Sequence, residues 1–358
     1  MTKSLLIPQP EIWVGGQSLA KIGAALQQAR VVTEVDIPGM FSLELTSRNL
    51  MPGDVLWVDE KTFNIGTPVE IKTAQEELLI EGEITALELE CAKETVSTLI
   101  VRGYDYRHRL GRNRATLTFT QMKDSDIVTQ IAKKANLKSE VTDTGITHDY
   151  VLQHNQSDLD FLQARAKRIG YEISIRGKML TFHPQAKRDA LKDPAILKLR
   201  VPEEVTRFSP RLSCANQVAQ TEVRGWNMRD KTPVVGRSGN QPWATGMGRE
   251  SGAYEASQAF GQVKHRQVNQ PVATAAEADQ IAQGQFRQMA LGYITGDGQC
   301  VGQARLQAGC MVEIQKVGDR FGGQYYITAA THIFGPERGY TTEFSFKRDA
   351  HNWQEKPQ

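Results

Sequence analysis

Apolar and polar residues alternate through much of the first hundred positions. β-Branched and apolar side chains dominate residues 31–35, and they return over 41–46 after a Pro38-Gly39 turn. Further runs of this kind cover 55–58, 69–71, 78–88 and 96–101. A period of two puts such side chains on one face of a pleated strand. Short strands split by Gly, Pro and Asn predict a sandwich or a small barrel. Residues 17–29 have helical composition and read as a short helix or a strand lead-in.

The period changes after Gly103. Ile127, Val128, Ile131, Ala132 and Ala135 fall on one helical face, with Ser125 as the expected cap. A second helix follows Ser157, burying Leu159, Leu162, Ala166 and Ile169, and Gly170 stops it. Residues 171–175 and 179–182 then predict a hairpin around Arg176-Gly177-Lys178. Strands resume at 196–201 and 218–226. Residues 230–269 are rich in Gly, Ser and Gln and predict a long exposed arm, with Trp243 and Tyr254 as its anchors. Residues 274–291 predict a helix, and strands occupy 309–346.

The late strands partly repeat the early ones at a constant offset of 243 residues. Gly66 and Val69-Glu70-Ile71 recur as Gly309 and Val312-Glu313-Ile314. Ile84-Thr85-Ala86 recurs as Ile327-Thr328-Ala329, Thr98 as Thr341 and His108 as His351. The spacing is too long for a solenoid unit. It implies one small β-domain present twice, with other material between the copies. Chance agreement between two β-rich stretches remains the alternative at this level.

Composition narrows the classes. Lys and Arg total 43 against 41 Asp and Glu, a formal charge of +2, so no global field draws the chain to nucleic acid or membrane. Mean hydropathy is -0.43, and no apolar run approaches the ~20 residues of a spanning helix. Pro8 and Pro10 cut short any secretory apolar run, and Cys91, Cys214, Cys300 and Cys310 are scattered without a C-x-x-C pair. The expectation is a soluble protein made in the cytoplasm with reduced, mostly buried thiols.

From residue 101 onwards the chain resembles a known family. Val101-Arg102-Gly103-Tyr104-Asp105 with Arg109-Leu110 opens the match, followed by Asp126-Ile127-Val128 and Gln153-His154-Asn155-Gln156-Ser157-Asp158-Leu159. Ile169-Gly170-Tyr171, Gly225-Trp226, Leu306-Gln307-Ala308-Gly309, Gly323-Gln324-Tyr325-Tyr326-Ile327, His332 and Gly339-Tyr340-Thr341-Thr342 complete it. In order and spacing these look like the baseplate hub family of contractile injection machines, which includes phage late control protein D and the N-terminal part of VgrG spikes. The resemblance covers most of the chain and is weakest in 1–50 and 230–270.

The resemblance implies a β-rich α+β chain with two similar small antiparallel β-barrel domains, an inserted α+β module, and a helix-plus-long-loop segment. The implied division is 1–110 for the first barrel, 111–185 for the insert, and 186–229 with 293–350 for the second barrel. Residues 230–292 carry the loop and helix, and 351–358 form a polar tail. It further implies a homotrimer adapting a sixfold tail tube to a threefold spike in a phage or injection-particle baseplate assembled in the bacterial cytoplasm. The implied partners are the tail-tube or tube-initiator protein, other baseplate components, and a tape-measure protein or cargo in the lumen. VgrG chains continue into a spike, so a separate trimeric spike protein is expected here, with Trp353 in the tail as its contact.

Candidate chemistry is sparse. The seven histidines show no H-E-x-x-H or paired metal spacing, so no metal, cofactor or catalytic residue is expected. His154, Ser157 and Asp158 are better explained by helix capping than by a hydrolase cluster. Arg102, Arg107, Arg109, Arg112 and Arg114, with Tyr104 and Tyr106 interleaved, suggest a nucleic-acid patch. Strand alternation would scatter them over two faces, and the near-neutral charge gives no support to nucleic acid. The hub resemblance implies that they pair structurally or with acidic groups of neighbouring subunits, with a solvated face as the alternative. The alternative function is binding or cleavage of cell-wall glycan by the insert, which needs two carboxylates about 5–10 Å apart. Asp158 and Asp160, two apart on a helix, cannot form that pair alone.

Overall fold

The computed structural model describes residues 9–19, 24–47, 57–91, 97–186, 195–238, 247–336 and 339–353. The chain opens with β1 (Glu11–Val14), β2 (Gln17–Ser18), β3 (Leu26–Glu34), β4 (Met40–Thr46), β5 (Pro68–Lys72), β6 (Leu78–Glu90) and β7 (Thr98–Asp105). An insert follows, with α1 (Arg107–Gly111), β8 (Arg114–Lys123), α2 (Asp124–Lys134), β9 (Lys138–Val141), β10 (Thr147–Ser157), α3 (Asp158–Arg168), β11 (Tyr171–Arg176) and β12 (Met179–Pro184). Next come β13 (Leu197–Arg200) and β14 (Val205–Leu212). A second insert holds β15 (Gln220–Asn227), β16 (Thr232–Arg237), β17 (Glu250–Ser251), α4 (Gly252–Phe260), β18 (Lys264–Gln267) and α5 (Ala275–Ala290). The chain returns to strands in β19 (Ile294–Val301), β20 (Met311–Gln315), β21 (Gly323–Gly335), β22 (Gly339–Arg348) and β23 (Ala350–His351), with α6 (Gly318–Phe321) after β20.

Thirteen strands form one large sheet, in the order β14-β19-β22-β21-β3-β4-β7-β6-β5-β1-β2, with β20 on β21 and β13 on β20. Its ladders are antiparallel except β13–β20, which is parallel. Among the described residues no strand pair closes either half of this sheet into a barrel. Each half has its own apolar core. Val31, Phe41, Leu43, Val69, Ile71, Ile84 and Val101 fill the first, and Val205, Ile294, Val312, Ile314, Ile327 and Phe346 fill the second.

The two inserts share a third core. Ile127, Ile131, Leu159, Phe161 and Leu162 of the first pack with Val223, Val234, Val272, Ala278 and Ile281 of the second. The α3 and α5 backbones meet at Gly170 and Gly284, where a Cβ on Gly284 would lie 2.4 Å from the Ile169 carbonyl carbon. Glycine is required at that contact because nothing larger fits.

Several expectations are corrected. Residues 17–29 hold a strand lead-in and no described helix, because Gln17 to Ser18 pair with β1 and the chain enters β3 at Leu26. Trp57 lies in a turn, and residues 51–56 fall outside the described set. Ser125 is not a cap: it sits inside α2, and the Asp126 carboxylate accepts from the Lys123 N–H at 3.2 Å instead. Ser157 does cap α3, accepting from the Asp160 N–H at 3.0 Å. The expected exposed arm at 230–269 contains β16, β17, α4 and β18. Its strands are held by pairing with β15 and β23. Tyr254 is exposed on α4, and Trp243 lies outside the described residues.

Candidate interaction edges and buried ion pairs

The repeat is a repeat of hydrogen-bond register. In β5–β6, Val69 opposes Gly82 and Ile71 opposes Ile80. In β20–β21, Val312 opposes Tyr325 and Ile314 opposes Gly323, each residue 243 further on. In β6–β7, Ile84 opposes Gly103, and Ala86 opposes Arg102 after a bulge. In β21–β22, Ile327 opposes Phe346, and Ala329 opposes Ser345 after a bulge at the same place. Gly66 and Gly309 adopt φ of 85° and 86°, and each donates its N–H at 2.8 Å to the carbonyl of Ile84 or Ile327. The remaining strands repeat as well. β3–β4 and β14–β19 align with offsets of 179 for the first strand and 255 for the second, again with a shared irregularity. The repeat ends at its last identity, since His108 lies in α1 and His351 in β23.

The halves meet at one seam, where β21 of the second lies antiparallel to β3 of the first. The surfaces used are different: a β6-type edge from one half and a β3-type edge from the other. The β6 edge beyond Ala86 and the outer edge of β14 are the counterparts of these two, and neither carries a further strand among the described residues.

The arginine-rich stretch lies where the first half enters the insert. Arg102 holds Glu88 through two contacts, Nε to Oε1 at 2.8 Å and Nη2 to Oε2 at 3.1 Å. Arg107 is buried: its Nε donates to Asp105 Oδ2 at 3.0 Å, and its Nη groups reach the carbonyls of Glu34, Val35 and Ile173. Arg109 Nε donates to Glu83 Oε2 at 2.7 Å, and His108 Nε2 touches the same oxygen at 3.0 Å. Burial alone would raise the Glu83 pKa, but Arg109 and then His108 outweigh it and hold the carboxyl below its usual range. Arg114 reaches the Asn155 carbonyl at 3.2 Å, and Arg112 is exposed. Arg102, Arg107 and Arg109 therefore hold carboxylates of their own chain. β6 lies beside β7 and α1 and supplies Glu83 and Glu88 within the same chain, while Asp105 comes from β7 itself.

The insert bears an open groove of about 1290 Å³, lined by parts of β10, α3, α5 and the β15–β16 turn. Arg165 Nε donates to Asp124 Oδ1 at 2.6 Å, His148 Nε2 lies 3.3 Å from Asp124 Oδ2, and Arg168 holds Glu277 at 2.7 Å. Burial acts to raise the Asp124 pKa, but His148 and Arg165 outweigh it, so this carboxyl stays ionised. A glycosidase needs the reverse, a carboxyl kept protonated to act as general acid. Asp158 is engaged by Gln153 at 2.9 Å and Lys134 at 3.5 Å. Among the described residues no group of three or more His, Cys, Asp or Glu is arranged to hold a metal, and no helix is long and apolar enough to cross a membrane. All four cysteines are free; Cys91 is exposed, against the expectation for it, and Cys300 is buried. Trp353 is 38% exposed, with the Arg320 guanidinium 4.4 Å from its ring centre.

One buried acid ties the first insert to the second half. Tyr326 Oη donates to Glu172, and burial pushes the Glu172 pKa up from 4.5 to about 7. A carboxyl with a raised folded pKa stabilises the fold most below its unfolded value and loses that contribution as pH rises through the folded value. Stability should therefore fall by about 3 kcal/mol between pH 4.5 and 7.5 through this group. His332, lowered from 6.5 to about 4 by burial, acts in the opposite sense over part of that window. The check is denaturant unfolding of Glu172→Gln against the native sequence across pH 4–8. The variant should gain relative stability as pH rises, and a pH-independent difference would contradict the assignment.

Comparison with solved structures places this architecture. A 43 kDa tail protein of prophage MuSo2 from Shewanella oneidensis superposes with a TM-score of 0.72 at 14% identity, covering 96% of this chain and 100% of that one. A tail protein from Neisseria meningitidis gives 0.68 at 12% identity, covering 96% and 97%. An E. coli component of the type VI secretion system, described as similar to the T4 bacteriophage tail proteins gp27 and gp5, gives 0.55 at 11%, covering 98% and 79%. The fold is shared with these phage tail and type VI secretion proteins. The chain belongs to the family described as the Alg8 N-terminal domain, whose profile matches residues 7–335. No curated protein matches the sequence.

Proposed function

We propose that the chain is a structural hub subunit of a contractile phage tail or related injection particle. Three copies would close into a ring of six near-equivalent β-units, joining a sixfold tube to a threefold spike. The observation that carries this reading is the shared register of the two halves, joined through unlike edges. A contact between unlike surfaces leaves a complementary pair free and builds a ring where its rotation closes. With two units per chain, three chains supply six docking sites for a tube and three for a spike.

In this reading the halves, open among the described residues, correspond to the two barrel domains expected of a hub, within 1–110 and within 186–229 plus 293–350. The exposed residues Arg112, Arg114, Tyr254 and Trp353 remain for contact with spike, tube or other baseplate proteins, and Trp353 in the tail is the spike contact. No catalytic role is assigned. The tail-protein fold supports that assignment, as does the arginine-held state of Asp124 and Glu277, which weakens the glycan-cleaving alternative. The copy number of the chain in a purified assembly tests the reading: three supports it, and one, two or six overturns it.

A further inference from the structure

The internal seam specifies which residues meet between chains. We infer that the free edge of β6 pairs antiparallel with β14 of a second copy, with Glu88 opposite Arg211. This rests on the reading of the chain as a ring subunit.

The seam inside the chain sets Thr331 against Val32, Ala330 against Thr33 and His332 against Val31. Carrying β21 back by 243 residues and β3 forward by 179 turns these rungs into Glu88–Arg211, Leu87–Leu212 and Leu89–Pro210. The neighbouring rungs become Ala86–Ser213 and Glu90–Ser209. The side chains match on both faces. One face pairs apolar residues with apolar residues, and the other pairs a carboxylate with a guanidinium and leaves small polar partners beside it. Opposite charges directly across a ladder stabilise it. A slip of one residue would set Leu87 against Arg211 and turn every side chain to the wrong face.

Burial supports the same pairing. Ala330 and His332 are 1% and 0% exposed, whereas their counterparts Leu87 and Leu89 are 38% and 44% exposed. Large apolar side chains thus stand where the internal seam buries small or polar ones, on an edge with no strand beside it among the described residues. An uncovered apolar edge of this kind is an aggregation hazard unless a specific strand covers it. Glu88 already holds Arg102 on the inner side, so Arg211 of the second copy would complete a row of alternating charge. Pro210 has no N–H, so its rung carries one bond fewer than the internal rung at Val31.

The internal rung at Val35 and Thr328 is hydrogen-bonded, Val35 donating at 3.1 Å. Alternation then makes Glu88–Arg211 a non-hydrogen-bonded pair, with Cα atoms about 4.5 Å apart, within disulfide reach. The test uses the full chain with Cys91→Ser, adding Glu88→Cys and Arg211→Cys together. Oxidation should give a covalent three-chain species on a non-reducing gel, while Glu90→Cys with Arg211→Cys should not cross-link. Native mass spectrometry of the same samples gives the copy number. A trimer without the Glu88–Arg211 cross-link overturns this register and leaves the hub reading standing. Absence of a trimer overturns both.

Discussion

Replacing Ile84 or Ile327 by Asp should destabilise the protein by about 4 kcal/mol or more in each case, and by similar amounts. Both side chains are fully buried. Both sit at the bulge, with the N–H donated at 3.0 Å to Thr67 or Cys310 and the carbonyl accepting from Gly66 or Gly309. Both side chains are 0% exposed, so a carboxylate in either place would be largely desolvated. Chemical denaturation measures the loss, with Ile65→Asp as the control: Ile65 is 64% exposed and should change stability by about 0.5 kcal/mol at most. Tolerance of Asp at one of the two buried sites within about 1 kcal/mol would show that the sites are not equivalent.

Arg107→Ala should cost about 3–5 kcal/mol, the usual penalty for removing one partner of a buried ion pair. Asp105 would keep its bonds from the Gly39 N–H at 2.7 Å and the Arg107 N–H at 2.9 Å but lose the guanidinium that neutralises it. The carbonyls of Glu34, Val35 and Ile173 would lose a donor together, loosening β3, β7 and β11 where the first half meets the insert. Arg112→Ala, at an exposed position, should leave stability within about 0.5 kcal/mol. Equal unfolding midpoints for the two variants would contradict this placement of Arg107.

The strand and helix pattern was largely legible because burial follows simple periods. Val69, Ile71, Ile84 and their counterparts are core residues, and core positions conserve residue type across a duplication. Most of the repeat was invisible for a physical reason. Phe41 opposes Gly103 in one half, and Gly296 opposes Phe346 in the other, so the large and small partners have changed places. A Cβ on Gly103 would lie 2.3 Å from the Phe41 ring, and one on Gly296 would lie 2.8 Å from the Phe346 ring. Cross-strand volume is kept while identity is lost, and no alignment by residue type detects that.

β14 was missed because Pro210 interrupts its alternation, although proline on an edge strand is itself a positional signal. The ordering of β16 and β18 was hidden because they gain their stability from β15, which a composition count cannot register. The partners of the arginines were also out of reach. Glu83 and Glu88 lie 14 to 26 residues from Arg102, His108 and Arg109 in sequence and become neighbours only through the β6–β7 ladder.

A reconstruction of the assembled particle along its axis tests the ring most directly. It should show three copies of this chain and six β-units related by rotations of about 60°, with seams alternating between β21–β3 inside a chain and β6–β14 between chains. One, two or six copies at the axis, or three copies whose β-units do not follow one another around the ring, would contradict the account.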